Sequence, residues 1–557
     1  MHLRIFPARQ HPWPLWLLAT LTAIWLAAVG NVALWKALSA LPEVGGLRGT
    51  LFMLGFGVLV AAILTALLAL LAWPNVLKPV AVFLLLSAAS ATHFMLAYSV
   101  IIDSSMLLNV LHTDVKEASD LMSVGFVVTL CAVGVAPAWW LWRQPVAGPQ
   151  AVRWTRQLRW NLATLGVALV VAVVSLLLIF QDFASIMRNH KDVRYLINPL
   201  NSVYALGRLV ADAVPRAQQP LQAIGTDAKL GPTYAHQTRP PMLILVVGET
   251  ARAANFSLGG YGRDTNPQLQ ALAGTGNLVW FGNVQSCGTN TQASVPCMFS
   301  HHGKDMHESK SGRFENLLDV LHHAGLAVVW LDNQSGCKGV CDRVPNTVTR
   351  DLTDPALCAN GECLDGIMLK QLATQLDGLS PERRARGTVV VLHQMGSHGP
   401  AYYKRSPEGL KAFQPECTST ALQSCTQEAV VNAYDNSLRY TDRFLADAVD
   451  WLSQQQADTS LLYVSDHGES LGENNLYLHG LPYALAPQVQ KHVPWVTWLS
   501  PRMQQRLALA PTCLARQRDR AMSHDNLFHS VLGLMDVQTT AYQPALDAYQ
   551  SCRQSIK

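Results

Sequence analysis

Apolar residues are spread very unevenly along the chain. Before Gln181 they form five uninterrupted stretches, near residues 15–38, 50–73, 76–102, 121–142 and 158–180, and nothing comparable follows. Each is close to the roughly 20 residues that a helix needs to cross a hydrocarbon core of about 30 Å. The pattern therefore predicts five transmembrane helices. A cleavable signal peptide competes for the first stretch, but that run is too long for one and no small-residue cleavage site leads into a polar mature chain.

Two further patterns follow. Over residues 182–239, Arg188, Lys191 and Arg194 are interleaved with Phe183, Ile186 and Tyr195, and breaks fall at Pro215, Pro220, Gly225, Gly231 and Pro232. Such a mixed amphipathic segment suits a linker lying on the membrane surface, with a solvated connector as the alternative. From 240 to 557, short β-branched runs alternate with longer amphipathic stretches, the pattern of βα units in a largely parallel sheet covered by helices. Strands are expected at 242–247, 327–331, 388–392 and 460–464. Each is followed by polar residues: Gly248-Glu249-Thr250, Asp332-Asn333-Gln334-Ser335, the segment from His393 to Gly399, and Ser465-Asp466-His467-Gly468. In open α/β sheets ligands bind beyond the carboxyl ends of the strands, so these four turns are expected to converge on one site.

Composition agrees with a membrane half. Charged residues are 14% of the chain, against about 25% in soluble proteins. Lys+Arg 42 against Asp+Glu 38 leaves a formal charge of +4, too weak a bias over this length for a nucleic-acid surface. Where the charges sit says more. Arg4, Arg9, Lys78, Arg143, Arg153, Arg156 and Arg159 occupy the loops on one side, whereas Asp103, Asp114, Glu117 and Asp120 face only Lys116 on the other. The positive-inside rule puts the N-terminus in the cytoplasm, and an odd number of spans exports everything after Phe180. The spans contain little that is ionisable beyond His93, which disfavours a transporter.

Cysteine usage supports this topology. Of the 11 cysteines only Cys131 lies in a span; the rest follow Phe180 as close pairs, Cys287 with Cys297, Cys337 with Cys341, Cys358 with Cys363 and Cys417 with Cys425, leaving Cys513 and Cys552. None forms the C-x-x-C repeat of a structural zinc site. Five disulfides between sequence neighbours, in an oxidising compartment, are the expectation.

Glu249, Asp466 and His467, each just past a strand, offer oxygen and nitrogen ligands that suit zinc or a similar divalent ion. Taken singly, each also reads as a cap or turn residue. A nucleophile is offered by the segment from Ser286 to Cys297, where a helix opening near Thr289 would add N–H donors for a phosphate. Thr291 and Ser294 offer the same hydroxyl on composition alone, and Thr289 also reads as an N-cap.

Val247-Gly-Glu-Thr250 with Arg252, Cys287-Gly-Thr-Asn-Thr291, Gly396-Ser-His-Gly-Pro400, Ser465-Asp-His-Gly-Glu469 and Tyr477-Leu-His479-Gly480 together resemble the lipid A phosphoethanolamine transferases, including the mobile colistin-resistance enzymes. The resemblance covers the whole chain. It implies a five-helix transmembrane domain (1–181), an amphipathic linker (182–239) and a periplasmic catalytic domain (240–557) with the mixed α/β sheet of alkaline phosphatases and sulfatases, in a Gram-negative inner membrane. It implies that Glu249, Thr289, Asp466 and His467 bind a catalytic zinc, with Thr289 as nucleophile. Ser335, Lys338, His398 and His479 would hold the donor phosphate or the leaving group, and His398 or His479 would serve as general acid or as ligand of a second zinc. Asn109, Thr113 and Glu117 recur every four residues and would share one helical face. In the resemblance that face holds the ethanolamine head of phosphatidylethanolamine, a capped polar surface helix being the alternative.

The implied reaction moves phosphoethanolamine from phosphatidylethanolamine to a lipid A phosphate through a phosphothreonine, lowering negative charge and weakening polymyxin binding. The chain is expected to work as a monomer among membrane lipids. A phosphoglycerol transferase of the same superfamily and a catalytically inactive membrane sensor are the rivals. The missing C-x-P-x-R sequence disfavours a sulfatase.

Overall fold

The computed structural model describes residues 12–112, 119, 121–148, 153–235, 237–309, 312–359 and 361–554. They separate into two compact units, one within Met1–Leu107 and Met122–Arg208, the other within Leu108–Leu121 and Leu209–Lys557.

The first unit is helical. Helices α1 (Leu15–Ala28) and α2 (Val32–Ser39) form one bent pair at 42°, followed by four long apolar helices, α3 (Gly46–Leu70), α4 (Leu77–Tyr98), α5 (Val124–Arg143) and α6 (Trp154–Asn189). Counting the bent pair as one span gives five, as the hydropathy pattern predicts. The bend frees backbone groups that lipid cannot satisfy. Asn31 at the break donates to the Leu26 and Asn198 carbonyl oxygens, while Asn198 Nδ2 donates to Gly30 O at 3.0 Å and Ala88 O at 2.8 Å. Helix α5 contains a π-helical segment, Leu130–Val135. Helix α6 outruns the apolar stretch that ends at Phe180 and continues to Asn189. Apolar length marks where lipid ends, whereas the helix stops only where its backbone does. A 3-10 turn, Lys191–Leu196, and a further amphipathic helix, Leu200–Gln218, follow.

The second unit is built on an eight-stranded sheet. In chain order its strands are β1 (Pro241–Gly248), β2 (Leu278–Gln285), β3 (Ala327–Asp332), β4 (Asn346–Val348), β5 (Thr388–His393), β6 (Asp458–Ser465), β7 (His492–Leu499) and β8 (Met522–Ser523). The spatial order is β8-β2-β7-β6-β1-β5-β3-β4. Only β7 runs against its neighbours, so the sheet is mixed but nearly parallel. The four strands expected from the β-branched runs are the adjacent central ones, β6, β1, β5 and β3. Their positions are almost wholly buried, which is why they read as continuous apolar runs.

Strands β2 and β7 escape that reading. Pro494 interrupts β7, and a proline normally argues against a strand. Here it sits where the pairing with β2 shifts register between Val493 and Trp495, so its missing N–H breaks no ladder. The core of the unit gathers Leu243, Leu245, Val391 and Leu462 from the sheet with Val295, Leu318, Phe528 and Val531 from the covering helices. All five expected disulfides are formed: Cys287–Cys297, Cys337–Cys341, Cys358–Cys363, Cys417–Cys425 and Cys513–Cys552.

Candidate active site

Strands β1 and β6 are parallel neighbours with Gly248 opposite Ser465. Glu249 and Asp466 therefore leave the sheet side by side. The turn after β1 is held by two bonds to the end of β6, Thr250 N–H to Asp466 Oδ1 at 3.2 Å and Ala251 N–H to Ser465 Oγ at 2.8 Å, and by one from the helix Gln427–Ser453, Tyr434 OH to Thr250 O at 2.8 Å. Gly396 packs on the other side. Its φ is +52°, and a Cβ there would lie 2.6 Å from Glu249 O, so two separate constraints demand glycine.

Glu249, Asp466 and His467 are fully buried, and one ligating atom from each lies within 4.8 Å of the other two. His467 Nδ1 lies 3.0 Å from the Gly468 carbonyl oxygen, so Nδ1 carries the proton that it donates there. Nε2 then faces Glu249 Oε1 at 3.3 Å and Asp466 Oδ2 at 3.4 Å. Burial would raise the Glu249 carboxyl, but the hydrogen bond and charge of His467, with His398 and His479 nearby, outweigh it and hold Glu249 well below the usual carboxylate range. Burial and the Glu249 charge push Asp466 up to about 6. Burial opposes charge on His467, yet the two carboxylates raise it to about 10. Asp466 Oδ2 is buried and accepts no hydrogen bond. Two buried carboxylates and an imidazole, with one oxygen unsatisfied, fit a divalent cation.

The hydroxyl brought to this cluster is that of Thr291, whereas the sequence reading placed Thr289 there. Helix α7 (Thr291–Met298) begins two residues later than expected because Asn290 is its N-cap, accepting Ala293 N–H at 2.9 Å. Thr289 thus lies outside the helix. Its Oγ1 donates to Leu481 O at 2.6 Å, and its carbonyl accepts Gly480 N–H at 2.8 Å. Thr291 Oγ1 stands 3.0 Å from Glu249 Oε2 and 3.4 Å from His467 Nε2. It also occupies the first turn of α7, where the helix dipole favours an anion.

Around this centre His479 lies against His467, ring centroids 4.2 Å apart, and His398 lies 5.6 Å from His479. Glu469 ends the Ser465-Asp-His-Gly-Glu469 motif. Fully buried, it takes His479 Nδ1 at 3.3 Å on one oxygen and Tyr402 OH at 3.0 Å on the other. Ser335 and Lys338 are brought together, Lys338 Nζ donating to Ser335 Oγ at 2.7 Å. Asn109 is partly buried in the helix Ser104–His112. Thr113 and Glu117 lie outside the described residues.

Sequence reasoning missed Tyr434 and His524 and gave Gly396 no role of its own. Neither Tyr434 nor His524 sits in a turn after an expected strand, and Tyr434 lies 31 residues or more from each of those turns in sequence.

Comparison with known proteins agrees with both halves of the molecule. Residues 60–214 match the family model described as phosphoethanolamine transferase EptA/EptB, and residues 241–537 match the one described as sulfatase. Over 550 residues the chain is 39% identical to phosphoethanolamine transferase EptA of Escherichia coli K12, covering 97% of this chain and 96% of that one. It is 35% identical over 526 residues to phosphatidylethanolamine transferase Mcr-1 of Escherichia coli, covering 92% and 94%. Its fold superposes on the integral membrane lipooligosaccharide phosphoethanolamine transferase A of Neisseria meningitidis with a TM-score of 0.91 at 34% identity, covering 97% of this chain and 99% of that one. With the membrane helices, the sulfatase-like sheet and the buried carboxylate-imidazole cluster all accounted for, the chain belongs to the EptA/EptB family of phosphoethanolamine transferases.

Proposed function

We propose that the chain transfers phosphoethanolamine from phosphatidylethanolamine to a phosphate of lipid A, through a phosphothreonine on Thr291. The observation that carries this reading is the Thr291 hydroxyl, 3.0 Å from Glu249 Oε2 in a buried carboxylate-imidazole cluster. In the first step Thr291 Oγ1 attacks the donor phosphorus, and the bond to the diacylglycerol oxygen breaks. The hydroxyl proton ends on that leaving oxygen. In the second step a lipid A phosphate oxygen attacks the phosphothreonine phosphorus, the bond from phosphorus to Thr291 Oγ1 breaks, and the proton of the attacking phosphate monoester passes to Oγ1.

Glu249, Asp466 and His467, with Thr291 beside them, would hold a zinc ion. When bound, zinc supplies Lewis-acid stabilisation of phosphoryl charge and favours the ionised hydroxyl. Glu249 and Asp466 orient the hydroxyl and its surroundings, and the first turn of α7 presents N–H groups to the phosphate. His479, oriented by Glu469, is the group suited to give the leaving oxygen its proton, and His398 lies close enough to share that task. Ser335, Lys338 and Asn109 supply donor contacts.

The five disulfides support a periplasmic location for residues 240–557 and hence a cytoplasmic N-terminus. Val203, Tyr204 and Val210 are exposed on the amphipathic helix Leu200–Gln218, which supports a linker resting on the membrane surface. Added phosphoethanolamine lowers the negative charge of lipid A, so polymyxin resistance is the expected phenotype. Mass spectrometry of lipid A from a Gram-negative host expressing the chain tests the proposal. A gain of one phosphoethanolamine unit, lost with Thr291→Ala, is expected; no gain with the intact chain would move the acceptor elsewhere.

A further inference from the structure

The attacking hydroxyl and the ligand-bearing strand come from segments about 170 residues apart in the chain, and their separation in space must be held to a fraction of an ångström. The His524 side chain bridges their backbones. His524, 1% exposed, directly precedes helix α8 (Asp525–Leu534). Its Nδ1 accepts Cys287 N–H at 3.0 Å, and its Nε2 donates to Ser465 O at 2.9 Å. Cys287 lies four residues before Thr291, and Ser465 directly precedes Asp466.

Only the neutral imidazole with its proton on Nε2 makes both bonds, because the protonated ring has no acceptor. Burial pushes His524 down to about 4, which keeps that form across the ordinary pH range. The other bonds at this loop have different reach. Gly288 N–H goes to Ser294 Oγ at 2.9 Å, within the segment, and Ser286 N–H goes to Lys491 O at 2.8 Å, just before β7. The backbone N–H of His524 itself goes to Gln285 O at 3.0 Å, so the same residue also grips the end of β2.

We propose that His524 is a positioning residue for phosphoryl transfer, fixing the distance between the Thr291 hydroxyl and the Asp466-His467 pair by bridging Cys287 N–H to Ser465 C=O. The inference rests on Thr291 as the attacking hydroxyl. It makes His524 a determinant of turnover, with donor affinity left alone, because it touches neither substrate. A misplacement of about 1 Å at a reacting group lowers rate about 10²-fold.

The test uses the full-length chain in detergent, with phosphatidylethanolamine in mixed micelles as donor, and reads diacylglycerol release, kcat and KM separately, and bound zinc. His524→Leu removes both bonds at similar volume; His524→Asn keeps an acceptor near the Nδ1 position, and His524→Gln keeps a donor near Nε2. Expected are a kcat about 10²-fold lower for Leu, intermediate values for Asn and Gln, and KM and zinc content close to those of the unsubstituted chain. The proposal is overturned if Asn and Gln both keep full kcat, or if Asn recovers nothing relative to Leu. It is also overturned if activity falls only in proportion to bound zinc. Should the Leu variant not fold, the Asn and Gln variants decide between the same outcomes. Thr291→Ala beside them separates the two readings: an active Thr291→Ala sinks both, whereas an inactive one with fully active His524 variants sinks this inference alone.

Discussion

Two threonines, two positions apart, have the same chemistry in sequence and different chemistry in the fold. Thr289 spends its hydroxyl on the Leu481 carbonyl, whereas Thr291 points its own at Glu249 and His467. Thr291→Ala is expected to abolish transfer by several orders of magnitude, as loss of a nucleophile does. Thr289→Ala removes one buried hydrogen bond worth about 1 kcal/mol and should leave activity within about tenfold. Diacylglycerol release by the purified variants checks both; a dead Thr289→Ala beside a live Thr291→Ala would reverse the assignment. His524 carries a second residue-scale prediction. Its folded pKa, about 4, lies below the ordinary 6.5 of a histidine, so the unfolded chain binds more protons between those values. Stability from this group is fully present above pH 6.5 and is lost as pH falls through about 4, by about 3 kcal/mol. Thermal unfolding of the chain and of His524→Leu across pH 4 to 7 should differ by that slope, and parallel curves would refute it.

At the scale of elements, the order of the sheet brings the cluster together. Parallel pairing of β1 with β6, Gly248 opposite Ser465, places two carboxylates side by side although more than 200 residues separate them. The segment carrying the hydroxyl is tied instead by the disulfide Cys287–Cys297, which closes a loop around Thr291. Replacing both cysteines by alanine should destabilise the chain by about 2 to 3 kcal/mol, the scale expected for a loop of this length. Transfer should fall as well, because the loop presents the hydroxyl. Differential scanning calorimetry together with turnover measures the two effects, and an unchanged unfolding temperature would show that the helix cap at Asn290 suffices.

For the whole molecule, the cation is expected to support both folding and chemistry, since Glu249 and Asp466 are buried as neighbouring carboxylates. Chelation should stop transfer and lower the unfolding temperature, and zinc should restore both. Ligand linkage gives about 4 kcal/mol at a thousandfold excess over Kd. A chelated chain with unchanged unfolding and unchanged transfer would exclude a structural and catalytic metal here.

Much of this protein is written locally and so was legible from the chain alone. Hydrophobic run length sets the membrane spans, because each helix satisfies its own backbone in lipid. The central strands β1, β3, β5 and β6 show as apolar runs because they are buried on both faces. Glu249, Asp466 and His467 stand out because ligands gather beyond carboxyl strand ends, and four of the five disulfides join cysteines at most ten residues apart, which is why pairing of sequence neighbours was the expectation. Tertiary structure decided the remainder. Which threonine meets the carboxylates depends on one capping side chain, Asn290, and on the carbonyl that claims Thr289. The place of Pro494 in β7 depends on a register shift against a partner strand. His524, Tyr434, Gly396 and Glu469 act through contacts with residues mostly distant in sequence. Periodicity and motif record what a residue does with its near neighbours along the chain, and these roles are set by neighbours that only folding supplies.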